Sequence, residues 1–143
     1  MNRLPRLLLV AALAAVPLAG AYAASSFPNT VTLPALPIDK RAVDVDPNGE
    51  SEFILREKTE VHRGKVWLGY LDYKEKWGPD KRQALERIVD SLKKGGWEVM
   101  MFDEPRQPPL ATLKLTTRDN QVLWATVEVF ETARVLVLQQ DDG

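Results

Sequence analysis

The sequence predicts an α+β domain: a two-layer arrangement of one main helix packed on a mostly antiparallel sheet, in the order β-β-α-β-β-β-β. Three observations carry this. Residues 79–96 hold a single run of helical periodicity, with a start signal and a stop signal. On either side lie short runs rich in valine, leucine and aromatics, separated by turn residues. Helix and strands are segregated along the chain rather than alternating, as expected of an antiparallel sheet.

The first 50 residues read as two non-domain segments. Met1–Arg6 carries two arginines and no acid, and residues 7–16 ("LLLVAALAAV") are apolar. Pro17, Gly20 and "AYA" follow, so residues 1–23 read as a secretory signal peptide cut after Ala23, which puts Ala21 at the third position back. Ala21 stands where a lipoprotein signal needs cysteine, so no lipid is expected. No second apolar run reaches the ~20 residues that span a bilayer. The expected location is periplasmic or secreted, with no membrane span after cleavage. Residues 24–50 contain Pro28, Pro34, Pro37 and Pro47 and read as a Pro-rich extended arm, with the apolar stretch "TVTLPALPI" expected to dock on the domain. Residues 51–143 then form the single α+β domain.

Strands are expected at residues 52–58 and 65–73, joined by "TEVHRG", in which Gly64 would permit an unusual backbone angle. The helix follows. Ala84, Leu85, Ile88, Val89 and Leu92 make one apolar stripe. Pro79 suits its first turn, Asp80 and Gln83 resemble a capping box, and Lys93 and Lys94 suit its negative end. Gly95 and Gly96 end it with a left-handed cap. The remaining strands are expected at residues 97–102, 110–117, 122–130 and 134–139. "VLWATVEVF" and "RVLVL" are apolar at both parities, whereas a strand solvated on one face alternates. Something must cover the second face: the arm, a curled sheet, a second copy or a partner protein.

Composition narrows function mainly by exclusion. Without Arg3 and Arg6 of the leader, the 19 basic residues fall to 17 against 20 acidic, a net charge of about −3. The charges are interleaved, so neither a nucleic-acid stripe nor a cationic membrane helix is present. Absence of cysteine excludes disulfides, thiolate metal sites and cysteine nucleophiles. Asp44, Asp46 and Asn48 have the spacing of a calcium loop, but the bidentate position falls on Leu55, so a tight Asx turn before Gly49 is expected. His62 is the only histidine and has no evident serine partner. Asp103 with Glu104, and Glu128 with Glu131, are the carboxylates an exported hydrolase could use. Of the tryptophans, Trp77 lies in a loop before the helix and is the best exposed anchor. Trp67 and Trp124 are further binding candidates, and Trp67 or Trp97 could line a small-ligand pocket between helix and sheet. No catalytic residue, metal or cofactor is assigned.

Gly64, Lys65, Val66, Tyr70, Leu92, Lys93, Lys94, Gly96, Trp97, Glu98 and Val99, within about 40 residues of "GKVWLGYLDY…SLKKGGWEVMMF", resemble an N-terminal module of some OmpA-like envelope proteins. That family's peptidoglycan-binding domain is not among these residues. The resemblance implies an envelope location and an accessory role, nothing catalytic. The reading that follows is an exported, soluble, non-catalytic module binding an envelope protein, or a second copy as a homodimer, through a sheet face or edge. A carboxylate hydrolase or a small-ligand binder is the alternative.

Overall fold

The structure, a computed structural model, describes residues 27–36 and 43–141. The leader read at residues 1–23 lies outside the described residues, as do residues 24–26 and 37–42 of the arm. The elements are β1 (Asp44–Ile54), β2 (Thr59–Leu71), a one-turn α1 (Lys74–Trp77), α2 (Lys81–Lys94), β3 (Glu98–Asp103), β4 (Leu110–Thr116), β5 (Val122–Val129) and β6 (Ala133–Gln140). The strands form one six-stranded antiparallel sheet, ordered β1-β2-β6-β5-β4-β3. The class is α+β, mostly sheet.

Helix α2 forms where its stripe and its caps require. The Asp80 carboxylate accepts from the Arg82 and Gln83 amides at 3.0 and 3.3 Å, so Asp80 is the N-cap and Pro79 precedes the helix rather than opening it. At the other end Gly96 is left-handed, with φ 97°. The Gly96 amide donates to the Lys93 carbonyl and the Trp97 amide to that of Leu92, a Schellman closure. All five stripe residues are buried, in one core with Ala111, Leu113, Leu123, Ala125, Val127, Val135 and Val137. The arm extends this layer. Phe27 and Leu36 join the core, Thr32 and Ser91 exchange hydrogen bonds of 2.8 and 2.9 Å, and Trp97 Nε1 donates to the Thr30 carbonyl.

The first hairpin differs from the expectation. Residues 44–50, expected in the arm, belong to β1, and "TEVHRG", expected as the connection, lies inside β2. The turn is at residues 55–58, where the Leu55 amide donates to the Lys58 carbonyl. The expected Asx turn does form, the Asn48 amide donating to the Asp46 carboxylate at 3.0 Å, but it sits inside β1 as a bulge between Asp46 and Gly49.

The hairpin also answers what covers the second face. Only residues 64–71 of β2 pair with β6, and residues 59–63 pair with β1 alone. Thr112 of β4 donates to the Ile54 carbonyl at 2.6 Å. In a flat sheet β1 and β4 would lie about 19 Å apart, four strand spacings, so the outer half of the hairpin must curl back over the sheet. Phe53 arrives there fully buried, 5.5 Å from the Trp124 ring, in a second cluster with Leu136 and Leu138. The bend falls where Gly49 faces Gly64, beside the bulge. A Cβ at Gly64 would stand 1.8 Å from the Gln139 carbonyl oxygen, so this glycine is required by a close approach and not by a positive φ.

Candidate docking groove

With both sheet faces lined by packed side chains, the sheet edges are what the fold leaves open. At one edge, β1 carries the bulge, Pro47 and four acids (Asp44, Asp46, Glu50, Glu52), devices that blunt strand pairing. At the other edge, β3 pairs only with β4. Its middle is Val-Met-Met-Phe, between Glu98 and Asp103. A bulge at Met100 breaks the alternation. Phe102 therefore turns to the helix side with Val99, while Met100 packs in the second cluster. Val89, Val99 and Phe102 make the apolar part of a groove of about 340 Å³ between α2 and β3, and Glu86, Asp90 and Lys93 line the rest. Phe102 remains 39% exposed.

A second cleft, of about 450 Å³, is lined by Asp80, Lys81, Arg82, Glu104 and the prolines of the β3–β4 loop. Glu86 of the first recess and Glu104 of the second bring their carboxyls close together. That contact raises the Glu104 carboxyl above its ordinary range. Desolvation and the Glu86 charge add to the rise, Arg82 opposes it, and Asp80 contributes slightly. Glu104 Oε2 is shielded from solvent and has no hydrogen-bond partner. A carboxyl whose folded pKa is raised binds its proton more tightly folded than unfolded. Stability therefore falls as pH rises from the ordinary glutamate range through the raised one. Glu104→Gln should melt at a higher temperature than the parent chain at neutral pH. The two should converge in acid, below the ordinary range, and thermal melts across pH would show it. A variant less stable at neutral pH would assign Glu104 a favourable contact instead.

The candidates read from the sequence lie as follows. Trp67 (7% exposed) and Trp124 (3%) are core side chains on opposite faces. Lys65 sits 5.0 Å over the Trp67 ring, Lys114 sits 5.1 Å over the Trp124 ring, and Trp124 Nε1 donates to Gln140. Trp77 is the last residue of α1 rather than a loop residue; it is half-buried against the core, with the Arg87 guanidinium 5.2 Å over its ring. Trp97 is in the helix-side core. His62 stacks on Trp124 at 4.4 Å and lies 2.9 Å from Glu60. Hydrogen bonds from Lys58 and His62 hold the Glu60 carboxyl below its ordinary range. Ser51 is the cross-strand neighbour of His62.

The carboxylate pairs do not converge as the sequence suggested. Asp103 accepts from the Arg106 amide, closing its own loop, and Glu104 meets Glu86 instead. Glu128 pairs with Arg134, and Glu131 with Lys74 and Lys81. No family model, curated protein or solved structure matches the chain. Among the described residues no group of three or more His, Asp or Glu side chains is placed to hold a metal ion, and no helix is long and apolar enough to cross a membrane. Glu86 and Phe102 are the groove residues that sequence reading missed. The first needs a contact 18 residues away, and the second needs a bulge that strand alternation does not announce.

Proposed function

We propose that this chain is an exported, soluble envelope protein and a non-catalytic accessory module, and that it holds an extended segment of a partner protein along β3. The basic start, short apolar run and A-x-A of residues 1–23 support export, with Ala24 as the new N-terminus. The resemblance of residues 64–102 to an envelope module agrees with that location. In this reading one main helix on the sheet is a two-layer scaffold, and its working part is the edge.

The observation that carries the docking role is the edge strand with an apolar groove beside it. A strand with one neighbour presents half its amides and carbonyls outward, and a peptide can satisfy them while alternate side chains enter the groove. Of the sheet face or edge expected from sequence, this favours the edge, because Phe53 and its hairpin already occupy the face.

Selection of displayed random heptapeptides against the chain should enrich segments that protect the outward amides of β3 from hydrogen exchange, and Phe102→Asp should abolish that protection. Enriched peptides that leave β3 unprotected would refute the docking role. Protein recovered from outside the inner membrane should begin at Ala24; recovery with residues 1–23 attached would refute cleavage.

A further inference from the structure

We infer that the docked segment carries a cationic side chain, a guanidinium by its geometry, which seats between Glu86 and Glu104, and an apolar residue two positions away that fills the groove over Val89, Val99 and Phe102. This rests on the docking role proposed above and adds the chemistry of the partner.

Charge is the first support. Two carboxylates and one ammonium line the groove, and Glu98 and Asp103 stand at the two ends of β3. These acids disfavour a second copy of the same strand. Antiparallel self-pairing of "EVMMFD" would set Glu98 opposite the other copy's Asp103 at both ends, a like-charge cross-strand contact. A segment bearing a cation meets the opposite sign at Glu86, Asp90, Asp80 and Glu104, against Lys93, Lys81 and Arg82.

The second support is the carboxyl pair itself. Glu86 lines the groove and Glu104 the second cleft, their carboxyls lie close together, and Glu104 Oε2 is shielded from solvent with no hydrogen-bond partner. A buried acceptor without a donor is costly. A guanidinium presents parallel N–H groups that satisfy two carboxylate oxygens at once, which an ammonium does less well. Asp80 is already partly committed, since its Oδ1 accepts both amide bonds that cap α2.

Spacing is the third. Glu86 and Val89 are three residues apart on α2, about 4.5 Å along its axis. Same-side residues of an extended segment lie two positions apart, about 6.7 Å. A strand lying beside the helix places an i residue over Val89 and an i±2 residue at Glu86 once side-chain length takes up the difference of about 2 Å.

Two capped heptapeptides test this: Thr-Val-Thr-Leu-Thr-Arg-Thr, and the same peptide with Gln in place of Arg, titrated into the ¹⁵N-labelled chain. The expected result is shifts at Val99, Phe102, Glu86 and Val89, with the Arg peptide binding about tenfold more tightly. The Glu86→Gln/Glu104→Gln double variant should bring the two peptides to near-equal affinity while leaving the shifts on β3. Equal binding of both peptides along β3 to the parent chain would overturn the cation inference and leave the docking role standing. Shifts absent from β3 with either peptide would overturn both. Replacing the peptide Leu with Ser should abolish the β3 shifts, and their survival would overturn the apolar anchor.

Discussion

Phe53→Ala should lower the unfolding free energy by about 3–5 kcal/mol and make the second sheet face accessible. Phe53 is fully buried between the Trp124 ring, at 5.5 Å, and the His62 ring, at 5.9 Å. Truncation removes that contact area and leaves a cavity beneath the hairpin, whose residues 59–63 have only β1 as a paired strand. The loss should appear in two stages. At low denaturant the outer hairpin opens locally, and Trp124 emission shifts to the red before the rest of the sheet unfolds. Trp124, Leu136 and Leu138 then form an exposed apolar patch, so the variant should bind a hydrophobic dye and self-associate. Val61→Ala on the same hairpin is the control: Val61 is 53% exposed, and its loss should cost under about 0.5 kcal/mol. Equal effects of the two substitutions would mean that the hairpin is not anchored by Phe53.

That hairpin also marks the boundary of what was legible in the sequence. Helix α2 was legible because its signals are local: a five-residue stripe, Asp80 before it and a Gly-Gly after it. Strands β4, β5 and β6 were legible to within a residue at each end, since their apolar content does not depend on what covers them. β1 was not. Its first residues are acids, a proline and an asparagine, exposed in the fold and strand-like only because they pair with β2. The turn at residues 55–58, within "ILREKT", lacks glycine, proline and asparagine, whereas "VHRG" looks like a connection and is the middle of a strand. The demand for a cover on the second face was legible from "VLWATVEVF". Its identity was not, because Phe53 and Trp124 meet across 71 positions of sequence. The docking groove divides the same way. Val89 was visible as a stripe residue, while the Glu86–Glu104 contact and the turning of Phe102 are products of the tertiary fold.

Gly64→Ala should be among the most damaging single substitutions in the chain, costing more than about 4 kcal/mol or preventing folding at ordinary temperature. The added methyl would lie 1.8 Å from the Gln139 oxygen, 2.8 Å from its carbonyl carbon and 3.2 Å from the Asp141 amide nitrogen. All three are backbone atoms, so no rotamer change relieves the clash and β6 itself must move. β2 and β6 form the ladder that joins the hairpin to the rest of the sheet, and it carries Trp67 opposite Val137 and Leu68 opposite Leu136, so displacement there loosens both clusters together. Gly78→Ala separates this steric effect from backbone preference. Gly78 has φ 86° and ψ −177° but nothing within 4 Å of an added Cβ, so it should cost only the backbone strain of about 1–3 kcal/mol. Chemical denaturation of the two variants side by side makes the comparison, and similar losses would show that β6 can yield at Gln139. Close approach at Gly64 sets where β2 leaves β6, that departure lets the hairpin curl, and the curl brings Phe53 over Trp124. A fold that closes its own second face in this way leaves the outer backbone of the edge strand β3, and not the apolar sheet surface, open to pairing.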